Sequence, residues 1–169
     1  RRPNYLSLIR DTGQKVYGVG KISDIFATQG ISRVVKGADN MALFDALLKV
    51  EEEAGDKSLT FVNFVDFDQA FGHRRDIAGY SNALHELDER LPEFMVKLKE
   101  GDLVVITADH GCDPSWPGSD HTREHIPMIF FGPGIAPREL PISDTFADIG
   151  ATLAKHLGVK PLSNGTPLL

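Results

Sequence analysis

The sequence has one cysteine and one tryptophan in 169 residues, and fewer basic side chains (18 Lys and Arg) than acidic ones (24 Asp and Glu). The single Cys112 excludes an internal disulfide framework and fits a reducing compartment, so a cytoplasmic location is expected. The net charge of −6 argues against a general nucleic-acid binder, whose affinity rests on surplus Lys and Arg, although it leaves room for a local basic site. No apolar run approaches the ~18 residues of a membrane span, and no signal-peptide pattern opens the chain. Neither nucleic acid nor a membrane is therefore expected as a partner. Internal repeats and low-complexity linkers are absent, and so is a starting methionine ahead of RRPNYLSLIR. That opening is compatible with a fragment of something longer.

What is present is an ordinary globular composition, 41% hydrophobic and 25% charged, with enough length to bury a core. Strand and helix patterns take turns. Lys15 to Ile22 reads as a short strand, and Met41 to Ala54 as a helix stopped by Gly55. Ser58 to Asp68 is β-branched and aromatic, apolar enough on both faces for a buried strand. Ile77 to Leu98 is helical, with Ile77, Tyr80, Leu84, Leu87 and Leu91 on one face. Pro92 there starts a second segment or kinks the first. Asp102 to Asp109 and Ile126 to Pro133 are further strands. Asp144 to Gly158 is a last helix, with Asp144 as N-cap and Gly158 as stop. This alternation predicts an α/β domain with a largely parallel sheet flanked by helices.

Ionisable residues then fall at strand ends, where open α/β sheets bind ligands. Lys21 ends the first strand, Asp66 and Asp68 the Ser58 strand, and Asp109 and His110 the Asp102 strand. In VDFDQAFGHRRD, Gly72 allows a turn that folds His73 back towards Asp68. Asp66 and Asp68 share a side of the strand by period two, so one is a ligand and the other its support. The competing structural reading, an Asp capping a helix, is the stronger one for an isolated D-x4-H. In TADHGCDPSWPGSDHTREHIPM, Asp109 and His110 leave the strand at Gly111, and His121 returns after a Pro- and Gly-rich loop. Taken alone, ADHG fits a helix cap and a surface histidine equally well. Together with Asp68, His73 and His121, five polar residues converge on one edge, and carboxylates mixed with imidazoles suit Zn²⁺, Mn²⁺ or similar ions. Five ligands exceed one tetrahedral site and fall short of two. A pair of ions ~3.5–4 Å apart is the usual device for phosphoryl chemistry.

DFDQAFGHRRD, TADHGCDP and SDHTREHIPM closely resemble the phosphopentomutase family of the alkaline phosphatase superfamily, and GKISDIFATQGI is similar to that family's own strand-and-loop segment. The resemblance runs from about Lys15 to the C-terminus. It implies an Mn²⁺-dependent isomerase that interconverts the 1- and 5-phosphates of ribose and deoxyribose through a phosphothreonine and a bisphosphate intermediate. It implies that Asp68, His73 and His121 hold one of two Mn²⁺ ions, that Asp109 and His110 belong to the other, and that Lys21 contacts substrate phosphate. Without it, Lys21 reads as a solvated strand-end lysine. The family's N-terminal segment, with a further metal-binding Asp and the Thr nucleophile, and its inserted cap domain have no counterpart here. Residues 1–169 are thus expected to be the C-terminal portion of an alkaline-phosphatase-like core, incomplete and inactive alone, with the missing segments of the same protein as its partners. RRPNYLSLIR fits the family poorly and reads as a junction or shortened segment.

A phosphatase or phosphoglycerate mutase relative with the same metal pair, and a non-catalytic metal-binding fragment, are the alternatives. GHRRD and GKISDIFA favour the mutase. Among the other polar residues, Arg74 and Arg75 are expected to pair with Asp76 or Glu86. His85 is expected at the surface, and His125 in the core, at the surface or behind the ligands. His156 suits the end of its helix. Trp116 is expected to pack on the sheet or close the site. Cys112 has no base for thiol chemistry, and Glu51 to Glu53 form a solvated helix end.

Overall fold

Lys15–Val19 (β1) is apolar on both faces because it lies in the middle of a parallel sheet. In the computed structural model of the chain, which describes residues 3–169, β1 pairs with Arg33–Val35 (β2) on one side and Ser58–Val62 (β3) on the other. Val19 lies opposite both Val35 and Val62. Side chains alternate along β1. Val16 joins Leu6, Ile9, Ile22 and Ala154 on one face, and Tyr17 and Val19 join Leu43, Ala46 and Val50 on the other. The first face is covered by Tyr5–Asp11 (α1) and Ala147–His156 (α5), the second by Asn40–Glu53 (α3). A four-residue helix, Ile22–Ile25 (α2), follows β1.

Helix starts follow their caps. Asn4 accepts from the Ser7 amide at 2.8 Å, Asp39 from Ala42 at 2.8 Å, and Asp76 from Gly79 at 2.9 Å at the start of Ile77–Met95 (α4). The opening segment is part of the core: Leu6 and Ile9 of α1 are buried, while Arg1 and Arg2 of RRPNYLSLIR lie outside the described residues. Pro92 sits within α4 and starts no second helix. Of the expected apolar face of α4, Leu87 and Leu91 pack inward, but Ile77 and Leu84 are 57% and 51% exposed.

Three expectations are corrected. The Ser58 strand ends at Val62, not Asp68, and Phe67–Gly72 forms a π-helical turn, so period two does not relate Asp66 to Asp68. The last helix begins at Ala147, not Asp144. The carboxylate engaged there is Asp148, bound by the Ser143 hydroxyl and by the Thr166 amide at 2.7 Å. Val104–Thr107 (β4) and Met128–Phe131 (β5) do not join the parallel sheet. They pair antiparallel to each other, with Thr107 opposite Met128. No helix among the described residues is long and apolar enough to cross a membrane.

Candidate metal centre

Two arms build the centre. The first leaves β3 and enters the π-helical turn, which carries Asp68 and ends at His73. Asp66 precedes that turn, and it is occupied elsewhere. Its carboxylate accepts from the Asn40 amide at 2.7 Å, and its own amide donates to Asn40 Oδ1 at 3.1 Å, so it fixes the start of α3. The second arm leaves β4 at Thr107, carries Asp109 and His110, and loops out through residues 112–120. An antiparallel bridge between Gly111 and Thr122 closes the base of that loop and returns His121 beside His110.

The arms meet at Gly72, and the second arm closes on itself at Gly111. Neither Gly72 nor Gly111 has a left-handed φ, so close approach rather than turning freedom is what each supplies. A Cβ on Gly72 would collide with Cys112 Sγ, and one on Gly111 would sit 2.7 Å from the Thr122 carbonyl. The turn does fold His73 back towards Asp68, but Gly72 serves it by close packing and not by a left-handed backbone.

Around Asp68 the donors converge. Asp68 Oδ2 lies 3.2 Å from His73 Nε2, and Oδ1 lies 3.4 Å from His121 Nε2. One ligand atom each from Asp68, His110 and His121 falls within 4.8 Å of the others. The His110 and His121 rings stack with centroids 3.6 Å apart, and the His73 ring lies 4.9 Å from His121. Asp109 Oδ1 is 3.6 Å from His110 Nε2 on a side chain that is 74% exposed.

The proton positions follow from the outer contacts. His73 Nδ1 donates to the Ser119 carbonyl at 2.5 Å, and His110 Nδ1 to the Gly111 carbonyl at 3.0 Å. A neutral ring so anchored presents Nε2 as a lone pair, the arrangement that second-shell carbonyls impose on metal-binding histidines. Asp68 Oδ1 is buried and has no hydrogen-bond partner among the described residues, although His121 is near enough for Coulombic contact. A buried acceptor facing further acceptors is costly unless a cation sits among them. Metal–ligand bonds of about 2.0–2.1 Å give a tetrahedral edge of about 3.3 Å, and the 3.4 Å between Asp68 Oδ1 and His121 Nε2 matches it. The donor set fits a divalent cation.

Other sequence candidates are placed as follows. Lys21 occupies the N-cap position of α2, directly past β1, and its exposed side chain makes no hydrogen bond or ion pair among the described residues. Arg74, His85 and His125 are exposed. His156 Nε2 donates to the Gly101 carbonyl at 2.8 Å. Cys112 keeps its proton: burial pushes its thiol up, and the Asp68 carboxylate adds to the effect. Trp116 lies exposed on the loop. Arg75 is the residue that sequence reasoning missed. It pairs with neither Asp76 nor Glu86, but binds the carbonyls of Asp113 at 2.9 Å, Asp120 at 2.5 Å and Gly118.

Residues 14–161 match the family described as the Metalloenzyme superfamily. The chain is 52% identical over 167 residues to the phosphopentomutase of Rhizobium meliloti, covering 99% of this chain and 41% of that protein. It is 54% identical over 160 residues to that of Erwinia tasmaniensis, covering 95% of this chain and 39% of the relative. It is 51% identical over 162 residues to that of Yersinia pestis, covering 96% and 40%. The chain therefore spans about two fifths of the length of the curated relatives it matches.

Proposed function

The chain belongs to the Metalloenzyme superfamily, and from that premise we propose that it is the C-terminal part of a phosphopentomutase catalytic core. Its substrates would be the 1- and 5-phosphates of ribose and deoxyribose, and its cofactors two Mn²⁺ ions. The observation that carries this reading is the buried, unpartnered Asp68 Oδ1 among three imidazoles. The relatives at 51–54% identity supply the reaction.

Asp68, His73 and His121 would hold one cation, and Asp109 and His110 part of the shell of the other. The cations supply charge neutralisation for phosphoryl oxygens and a lowered pKa for a hydroxyl nucleophile. This chain's residues supply position. Ser119 and Gly111 carbonyls fix the His73 and His110 rings, and the stack of His110 on His121 holds two donors at one separation. Lys21, at the same carboxyl edge of the sheet as the β3 arm, would hold a substrate phosphate as a point charge. The remaining ligands, the Thr nucleophile and a cap would come from segments this chain does not span, so no turnover is expected from the 169 residues alone. A cytoplasmic location goes with this reading and rests on the single cysteine.

The test is an assay of the complete protein with ribose 5-phosphate and with a generic phosphate monoester. Isomerisation to ribose 1-phosphate, lost in Asp68→Asn, is expected. Hydrolysis of the monoester outpacing isomerisation would assign the site to a phosphatase, and isomerisation that survives Asp68→Asn would remove the metal centre from the reaction.

A further inference from the structure

The geometry points to Arg75 as a positioning residue: its guanidinium fastens the loop of residues 112–120 so that His121 is delivered to Asp68 in a ligating pose. This rests on the metal-centre reading above and adds a residue to it.

Three facts carry the inference. First, the guanidinium commits Nε, Nη1 and Nη2 to three main-chain carbonyls, those of Gly118, Asp113 and Asp120. These span the loop from its start to the residue before His121. Only a planar fork reaches three acceptors in fixed directions, and an ammonium does not. Second, Arg75 adopts a left-handed backbone, φ 56°, which a side-chain-bearing residue rarely takes without compensation. The chain there is already turned by hydrogen bonds from the Arg75 amide to the Gly72 carbonyl and from Asp76 to Phe71. Third, the same loop is tied to the other arm through His73 Nδ1 and the Ser119 carbonyl. Arg75 and His73 thus grip adjacent carbonyls of one loop from one turn. The loop's other hydrogen bonds, such as Asp113 to Ser115, stay within its own arm, and its remaining tie to the β3 arm is the packing of Cys112 against Gly72.

The guanidinium touches no ligand atom, so its effect passes through the loop. Loss of a partner behind a metal ligand typically weakens metal affinity about 10–100-fold, and that is the range expected here. Arg75→Gly suits the test because glycine accepts the left-handed φ without strain. Arg75→Lys retains the charge and loses the fork.

The experiment titrates the complete protein that carries these residues with Mn²⁺, following free ion by electron paramagnetic resonance and counting bound imidazole nitrogens by electron spin-echo modulation. Wild type, Asp68→Asn, Arg75→Gly and Arg75→Lys are compared, with far-UV circular dichroism as the folding control. Arg75→Gly and Arg75→Lys are expected to bind Mn²⁺ at least about tenfold more weakly, with fewer coupled nitrogens. Methylguanidinium at sub-denaturing concentration should restore affinity to Arg75→Gly and not to wild type, which a general loss of stability would not reproduce. Wild-type affinity and nitrogen count in Arg75→Gly overturn the inference alone. A wild type that binds no better than Asp68→Asn overturns the metal reading and the inference with it.

Discussion

Replacing Gly72 by alanine tests where the two arms of the centre touch. The new Cβ would overlap Cys112 Sγ and lie 2.9 Å from the Phe67 carbonyl oxygen. The backbone φ at this position is not left-handed, so alanine incurs no conformational penalty and gains about 0.5–1 kcal/mol over glycine inside a helix. Overpacking of a filled site costs about 1–3 kcal/mol. The steric term is larger, and a net loss of about 1–2 kcal/mol is expected. Urea denaturation followed by circular dichroism reads it as a midpoint lowered by roughly 0.5–1 M for an m-value of about 2 kcal/mol/M. The cause is separable by a double-mutant cycle. In a Cys112→Ala background the collision with sulfur disappears while the contact with Phe67 remains, so the cost of Gly72→Ala should fall by about 1 kcal/mol but not vanish. Because Gly72 directly precedes His73, Mn²⁺ affinity should fall with stability in the single variant and partly recover in the double. A Gly72→Ala protein as stable as wild type, or a cost unchanged by Cys112→Ala, would refute the contact as the reason for glycine.

Further outcomes are expected elsewhere. Asp66→Ala removes the acceptor at the start of α3 and should cost about 1–2 kcal/mol of stability, read by thermal melting, with Mn²⁺ affinity retained. The Ser143 hydroxyl and the Thr166 amide hold the Asp148 carboxyl below its ordinary value. That stabilisation is full above about pH 4 and is lost as pH falls through the depressed folded value. Asp148→Asn should therefore melt below wild type at neutral pH, with the gap narrowing on acidification, checked by melts across the pH range. Mn²⁺ at about 100-fold over its dissociation constant should add about 2.7 kcal/mol to wild type. Chelator should reverse that gain, and Asp68→Asn should show none of it.

The candidate ligands were legible because carboxylates and imidazoles beside glycines past strand ends are a pattern of residue types. The path by which the chain presents them was less so. Val and Phe fill five of the eight positions of FVNFVDFD, which reads as strand to its end. The chain instead leaves the sheet after Val62 because Asp66 is taken by Asn40, 26 residues away. The misplaced helix start has a related origin: Asp144 and Asp148 are equivalent as residue types, and Asp148 is distinguished by the Ser143 hydroxyl and by the amide of Thr166, 18 residues on. The antiparallel pairing of β4 with β5 follows from what joins them, since a parallel partner needs a crossover, usually helical, and the Pro- and Gly-rich connection holds none. The role of Arg75 was not legible in the sequence because its partners are main-chain carbonyls, which every residue has.

Anomalous diffraction at the manganese edge, on crystals of the chain grown with Mn²⁺, addresses the central claim most directly. The account predicts a peak in bonding contact with Asp68 Oδ1 and with Nε2 of His121 and His73. A fully occupied crystal lattice with Mn²⁺ present and no anomalous density between those atoms would contradict it.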